Sequence, residues 1–160
     1  MAAMSERRGV RSWFVSHYPV LGFAPDSRHT DAPPFPGNAA SPSALQSLFG
    51  NAYFPPGAQA PLHGHVHLFQ AISFASKHPA MLVAGNGGDS LDDSLSNPLP
   101  SDIAPAAGTV VGQFTHSSSF GFPLLERRPT FAGDWTVRAY GIDGSTLVSC
   151  ILSHDRKLLC

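Results

Sequence analysis

Apolar residues along this chain fall in short runs whose period changes from one stretch to the next. Trp13-Phe14-Val15 is aromatic and β-branched, a run suited to a pleated, buried position. It passes into Ser16-His17-Tyr18-Pro19, where Pro19 ends any regular ladder. The residues ahead of the run read as a short helical lead. Pro25, Pro33, Pro34, Pro36, Gly37, Asn38 and Pro42 leave no room for regular structure and predict a long loop over 24–41. Ser41-Pro42 has the pattern of an N-cap followed by proline at the first helical position. Leu45, Leu48, Phe49 and Ala52 then recur at helical spacing, so one short helix is predicted over 42–53, stopped at Phe54-Pro55-Pro56-Gly57.

From about residue 66 the pattern is that of strands, predicted over 67–74, 80–84, 109–116, 121–127, 135–140 and 146–152. Asp143-Gly144 has the composition of a tight hairpin turn. The stretch 86–108, rich in Asp, Ser and Pro, is a second long loop. The expected fold is therefore α/β and β-rich: one domain over 1–160, mostly antiparallel after residue 66, with one short helix.

Composition narrows this further. One hundred and sixty residues with 42% hydrophobic content can enclose a core, and 15 glycines with 15 prolines favour short elements. A net charge of −1, with Lys77 and Lys157 the only lysines, excludes the broad basic surface that nucleic acids require. The one dense basic stretch, Arg7, Arg8 and Arg11, reads as an exposed helix end. No window reaches the ~18 apolar residues of a membrane span, and no apolar run of a leader follows Met1. The expectation is a cytoplasmic chain without a membrane partner. Cys150 and Cys160 exclude zinc knuckles and a disulfide framework. In the cytosol two free thiols are expected, with Cys150 inert in an apolar strand; a single bridge is the alternative in an oxidising compartment.

Histidine carries the chemistry. Eight are present, three of them in Leu62-His63-Gly64-His65-Val66-His67. Neutral imidazole offers one lone pair to zinc, iron or manganese, and Gly64 permits a sharp turn and close approach to a cation. His17, leaving the end of a short strand, is a further candidate ligand, since a strand end is held by the sheet yet faces a loop cavity. A single histidine in such places is more often a strand cap bonded to backbone. Gly85-Asn86-Gly87-Gly88 reads as a tight turn after a strand, since it lacks the spacing of a phosphate loop. Asp89, Asp92 and Asp93 read as a solvated acidic loop, and Ser117–Ser119 beside His116 form no nucleophile elbow.

Taken in order, Trp13-Phe14-Val15-Ser16-His17-Tyr18-Pro19-Val20 and then Gly64-His65-Val66-His67 resemble the last two blocks of the calcineurin-like metallophosphoesterases. The resemblance covers about residues 10–152. It implies the C-terminal half of a metallophosphoesterase sandwich and hydrolysis of phosphate mono- or diesters at a dinuclear centre of manganese, iron or zinc. Within it, His17 and His65 match ligands of one metal and His67 a ligand of the other; His63 receives no role. The family's earlier blocks are an Asp-x-His pair, a bridging aspartate and an Asn-His-Asp/Glu block. They have no counterpart before His17, where Glu6 is the only acid. The resemblance thus implies an incomplete metal site, a chain inactive alone, and a missing N-terminal half as partner alongside a phosphate-ester substrate.

Two other readings stay open. Pro55-Pro56-Gly57 followed by Pro61, His63, His65 and His67 resembles a first cupin block, with Gln70 where a glutamate is usual; a cupin would bring His116 beside His65. The third reading is a non-catalytic interaction protein.

Overall fold

The computed structural model describes residues 11–26, 34–37, 39–129 and 133–160. The expected helical lead, with Arg7 and Arg8, lies outside them. Among the described residues eleven strands and one α-helix follow in order: β1 (Ser12–Ser16), β2 (Phe23–Ala24), β3 (Phe35–Pro36), α1 (Ala40–Phe49), β4 (Ala58–His63), β5 (Phe69–Phe74), β6 (Met81–Ala84), β7 (Val111–Ser117), β8 (Gly121–Arg127), β9 (Trp135–Gly141), β10 (Thr146–Leu152) and β11 (Leu158–Leu159).

Two sheets carry the architecture. The first has the order β1-β4-β6-β5-β7, and the second β11-β10-β9-β8. β1–β4 and β4–β6 are parallel; β6–β5, β5–β7 and every ladder of the second sheet are antiparallel. The strands after residue 66 pair with one another antiparallel throughout, as their short spacing suggested. Parallel character enters only through β4, a strand that the sequence pattern did not predict.

The first sheet is covered on both faces, which explains why β5 and most of β6 are buried without alternation. On one face Ala60, Phe69, Ala71, Ala80 and Leu82 meet Val137, Ala139, Cys150, Leu152 and Leu158 of the second sheet. On the other, Ile72, Phe74, Met81 and Val83 pack with Leu21, Phe23, Tyr53 and Phe54 beneath α1 and the loop after β6. The second sheet buries one face only, and its outer face shows Phe122 and Leu124 to solvent.

Several local expectations need correction. The helix begins at Ala40, with no side-chain cap at Ala39, and ends at Phe49 in a 3-10 turn over Gly50–Ala52. Leu48, placed on its apolar face by spacing, is 72% exposed; Leu45 is the member that packs on the core. The loop predicted over 24–41 contains the short β2–β3 pairing, with Phe23 opposite Pro36. Gln70, fully buried, secures that region: its amide receives the Phe23 N–H at 3.2 Å and donates to the Phe23 carbonyl at 2.7 Å. Between β6 and β7 there is no helix or strand, as its composition suggested. Arg11 is exposed, as expected, but it leads directly into β1 rather than ending a helix, and its guanidinium donates to Gln59 Oε1 at 2.7 Å and to the His154 carbonyl.

The expected free thiols are absent, because Cys150 and Cys160 form a disulfide. The cause lies in the register. Leu152 faces Leu158 and Ile151 faces Leu159 across the β10–β11 hairpin, so the next step outward sets Cys150 against Cys160. No helix among the described residues is long and apolar enough to cross a membrane.

Candidate functional site

β1 and β4 run parallel and side by side, with Ser16 opposite His63. Both strands therefore finish at the same edge of the sheet, and the residues that follow them emerge together. Gly64 N–H donates to the His17 carbonyl at 3.0 Å, which holds the two exits in register. One residue later, His65 Nδ1 lies 3.2 Å from His17 Nε2. Tyr18 completes a ring cluster, its centroid 4.2 Å from that of His65 and 5.0 Å from that of His17. Two residues distant by 48 positions thus meet because a parallel ladder aligns their strand ends.

The sharp turn in this segment belongs to His65, whose φ of 65° is left-handed. Gly64, expected to supply it, has no such φ, and a Cβ there would meet His17 only at an ordinary 3.9 Å. Strain of this kind in a non-glycine residue is held in place by its surroundings, here the Gly64–His17 hydrogen bond and the Tyr18 ring. The His65 pKa is lowered by partial burial and then by the neighbouring His17 and His67, with Asp92 pulling the other way. A neutral imidazole with an available lone pair is the result at neutral pH.

His67 is held separately. Its ring Nδ1 lies 3.0 Å from Ser90 Oγ, and its backbone N–H donates to Asp92 Oδ2 at 2.8 Å. Asp92 N–H returns a bond to the His67 carbonyl at 3.2 Å. Asp92 is therefore engaged with the histidine segment, not a freely solvated acid as its loop suggested; Asp89 and Asp93 remain exposed. His63 is buried beneath the site, with Nδ1 2.9 Å from Ser16 Oγ. The structure thus brings His17 and His65 into contact and sets His67 within electrostatic reach of His65.

Among the described residues no three His, Cys, Asp or Glu side chains converge to hold a metal ion. The donor chemistry of the pair nevertheless fits a share of a transition-metal site. Two nitrogens each ~2.0–2.1 Å from one zinc at a tetrahedral angle stand about 3.3 Å apart, close to the spacing seen here. The same spacing suits an N–H···N hydrogen bond in which one ring donates.

Other candidates resolve differently. Gly85 sits where a Cβ would lie 1.8 Å from the Val66 carbonyl oxygen, and its N–H donates to the Leu68 carbonyl. That close approach accounts for the glycine without any anion. Asn86 is buried and donates to the Ser119 carbonyl. His116 does not join His65: it stacks on Phe114 and bonds Ser94 Oγ at 2.9 Å. Together with the parallel β1–β4–β6 ladder, this departs from the antiparallel jelly roll of a cupin. Ser90 was missed as a contributor, since only the return of the loop after β6 brings it to His67.

No protein-family model, no curated protein and no solved structure matches this chain.

Proposed function

We propose that these residues form the C-terminal part of a calcineurin-like metallophosphoesterase, with His17 and His65 as ligands of one divalent metal and His67 of its neighbour. The observation that carries the reading is the 3.2 Å approach of His65 Nδ1 to His17 Nε2 at adjoining parallel strand ends. It joins the two blocks on which the family resemblance rests. Manganese, iron or zinc held there would stabilise charge on a phosphoryl oxygen and acidify a bound water. The chain's own part is to present three imidazoles from adjoining strand ends and the turn that follows them. A bridging carboxylate and the leaving-group acid come, on this reading, from a segment outside these 160 residues.

Titration of the purified chain with manganese or zinc tests the ligand set. The expected result is weak binding that falls at least tenfold in His17→Ala and in His65→Ala, with no hydrolysis of p-nitrophenyl phosphate. The coding sequence upstream of Met1 tests the family. In-frame Asp-x-His and Asn-His-Asp/Glu blocks, and hydrolysis restored in the extended chain but not in its His17→Ala form, support the reading. Metal binding indifferent to both substitutions, or an upstream region without those blocks, overturns it.

A further inference from the structure

We infer that Ser90 and Asp92 are positioning residues for His67, setting its ring so that Nε2 faces outward as the ligand nitrogen. This rests on the metal-site reading above and adds the groups that orient one of its ligands. Three bonds carry it. The Asp92 carboxylate receives the His67 N–H at 2.8 Å, the Asp92 N–H donates to the His67 carbonyl at 3.2 Å, and Ser90 Oγ lies 3.0 Å from Nδ1.

The first two bonds form a closed backbone clasp. It fixes the residue between two tight turns, Val66 N–H to the Gly64 carbonyl and Leu68 N–H to the Val66 carbonyl, each 2.8 Å. That segment belongs to neither β4 nor β5, so without the clasp no ladder would fix the direction of the His67 side chain. The third bond selects the ring state. With Nδ1–H donated to Ser90 Oγ, the neutral ring keeps its lone pair on Nε2, which makes no hydrogen bond among the described residues. An imidazole that ligates through one nitrogen and donates the other N–H to a fixed oxygen is the usual arrangement at metal sites. The loop after β6 therefore has a reason to return across the end of β4.

The test combines nitrogen-15 NMR of the histidine rings with cobalt(II) titration of the full chain, in wild type, Ser90→Ala, Asp92→Ala and Asp92→Asn. The wild-type His67 is expected in the Nδ1–H tautomer, and Ser90→Ala shifts it toward Nε2–H. Ser90→Ala and Asp92→Ala each weaken cobalt binding about tenfold or more. Asp92→Asn, which keeps an acceptor for the His67 N–H, stays within about threefold of wild type. An unchanged tautomer in Ser90→Ala, or Asp92→Asn as damaging as Asp92→Ala, overturns the inference. A wild-type chain that binds no cobalt overturns the metal reading instead, and the tautomer measurement still decides the role of Ser90.

Discussion

Ser16 and His63 face each other across the β1–β4 ladder, and their side chains bond at 2.9 Å. The direction of that bond is determined. Ser16 Oγ donates its proton to the Tyr18 carbonyl at 2.9 Å, so toward His63 it accepts, and Nδ1 carries the hydrogen. Nε2 is then a bare lone pair, buried and without a hydrogen-bond partner among the described residues. Burial holds the His63 pKa down to about 4, against a weaker raising effect from the Ser16 contact. The imidazole beneath the His17–His65 pair is thus a neutral strut.

His63 makes stability depend on pH in a defined window. The unfolded chain protonates this residue near pH 6.5, the folded chain only near 4. Between these values the unfolded state binds more protons, so stability falls as pH drops and is undiminished above 6.5. The loss amounts to roughly 3 kcal/mol by pH 4. Urea unfolding of wild type and His63→Gln between pH 7.5 and 4 measures it. The variant should start less stable and show a flatter acid slope by about this amount; parallel slopes would refute the assignment.

Gly85 and Gly88 sit three residues apart and should respond oppositely to alanine. A Cβ at Gly85 would lie 1.8 Å from the Val66 carbonyl oxygen, a backbone atom in the segment that carries His67. Gly85→Ala must displace that segment and should cost at least about 3 kcal/mol. At Gly88 a Cβ meets nothing within 4 Å and φ is not left-handed. There alanine should be neutral or stabilise by up to about 1 kcal/mol through the unfolded chain. Thermal unfolding of the pair separates a steric requirement from general glycine flexibility.

These two positions also mark how far sequence reasoning reaches. Met81–Ala84 was legible because a strand buried on both faces is apolar throughout, and Phe69–Phe74 because its aromatic and β-branched members outweigh the buried Gln70 and Ser73. The Asp143-Gly144 turn was legible because its chemistry is local, and Gly144 does adopt a φ of 80°. β4 was not, since Pro61 inside Ala58–His63 argues against a central strand. It is accommodated because the ladder to β6 starts only at Leu62 opposite Leu82. The approach of His17 to His65 was implied by the family resemblance of their two motifs, whereas Ser90 and Asp92 depend on a loop path that no local pattern encodes. His63 received no role from the sequence, and its buried place opposite Ser16 comes from the strand register.

Lys157 illustrates a polar interaction of the same non-local kind. Its ammonium donates to the carbonyls of Phe74, Ser76 and His78 at 2.5, 2.6 and 3.2 Å, using all three of its protons. Burial, and then Arg156, lower its pKa. Lys157→Met keeps the apolar stem and removes the donor, leaving three carbonyls at the end of β5 without it. A loss of about 1–3 kcal/mol is expected. Hydrogen exchange should show faster opening at β5 and the following turn than at β8, which lies in the other sheet.

The Cys150–Cys160 bridge closes a ten-residue separation around the β10–β11 turn. A cross-link of this span restricts the unfolded chain and is worth about 2–3 kcal/mol on the loop-entropy scale. It also ties β11 to a sheet it joins through two residue pairs only. Leu158 packs in the inter-sheet core, and its N–H bonds Ser73 Oγ at 3.0 Å. Reduction should therefore loosen the contact between the sheets as well as lower stability. Thiol titration of the unreduced, denatured chain should find no free sulfhydryl, and Cys160→Ser should expose one. The variant should unfold about 2–3 kcal/mol below wild type, and the difference should vanish when both are compared under reducing conditions. Two titratable thiols in the chain purified without reductant would show that the bridge does not form, and the stability difference would then have no basis.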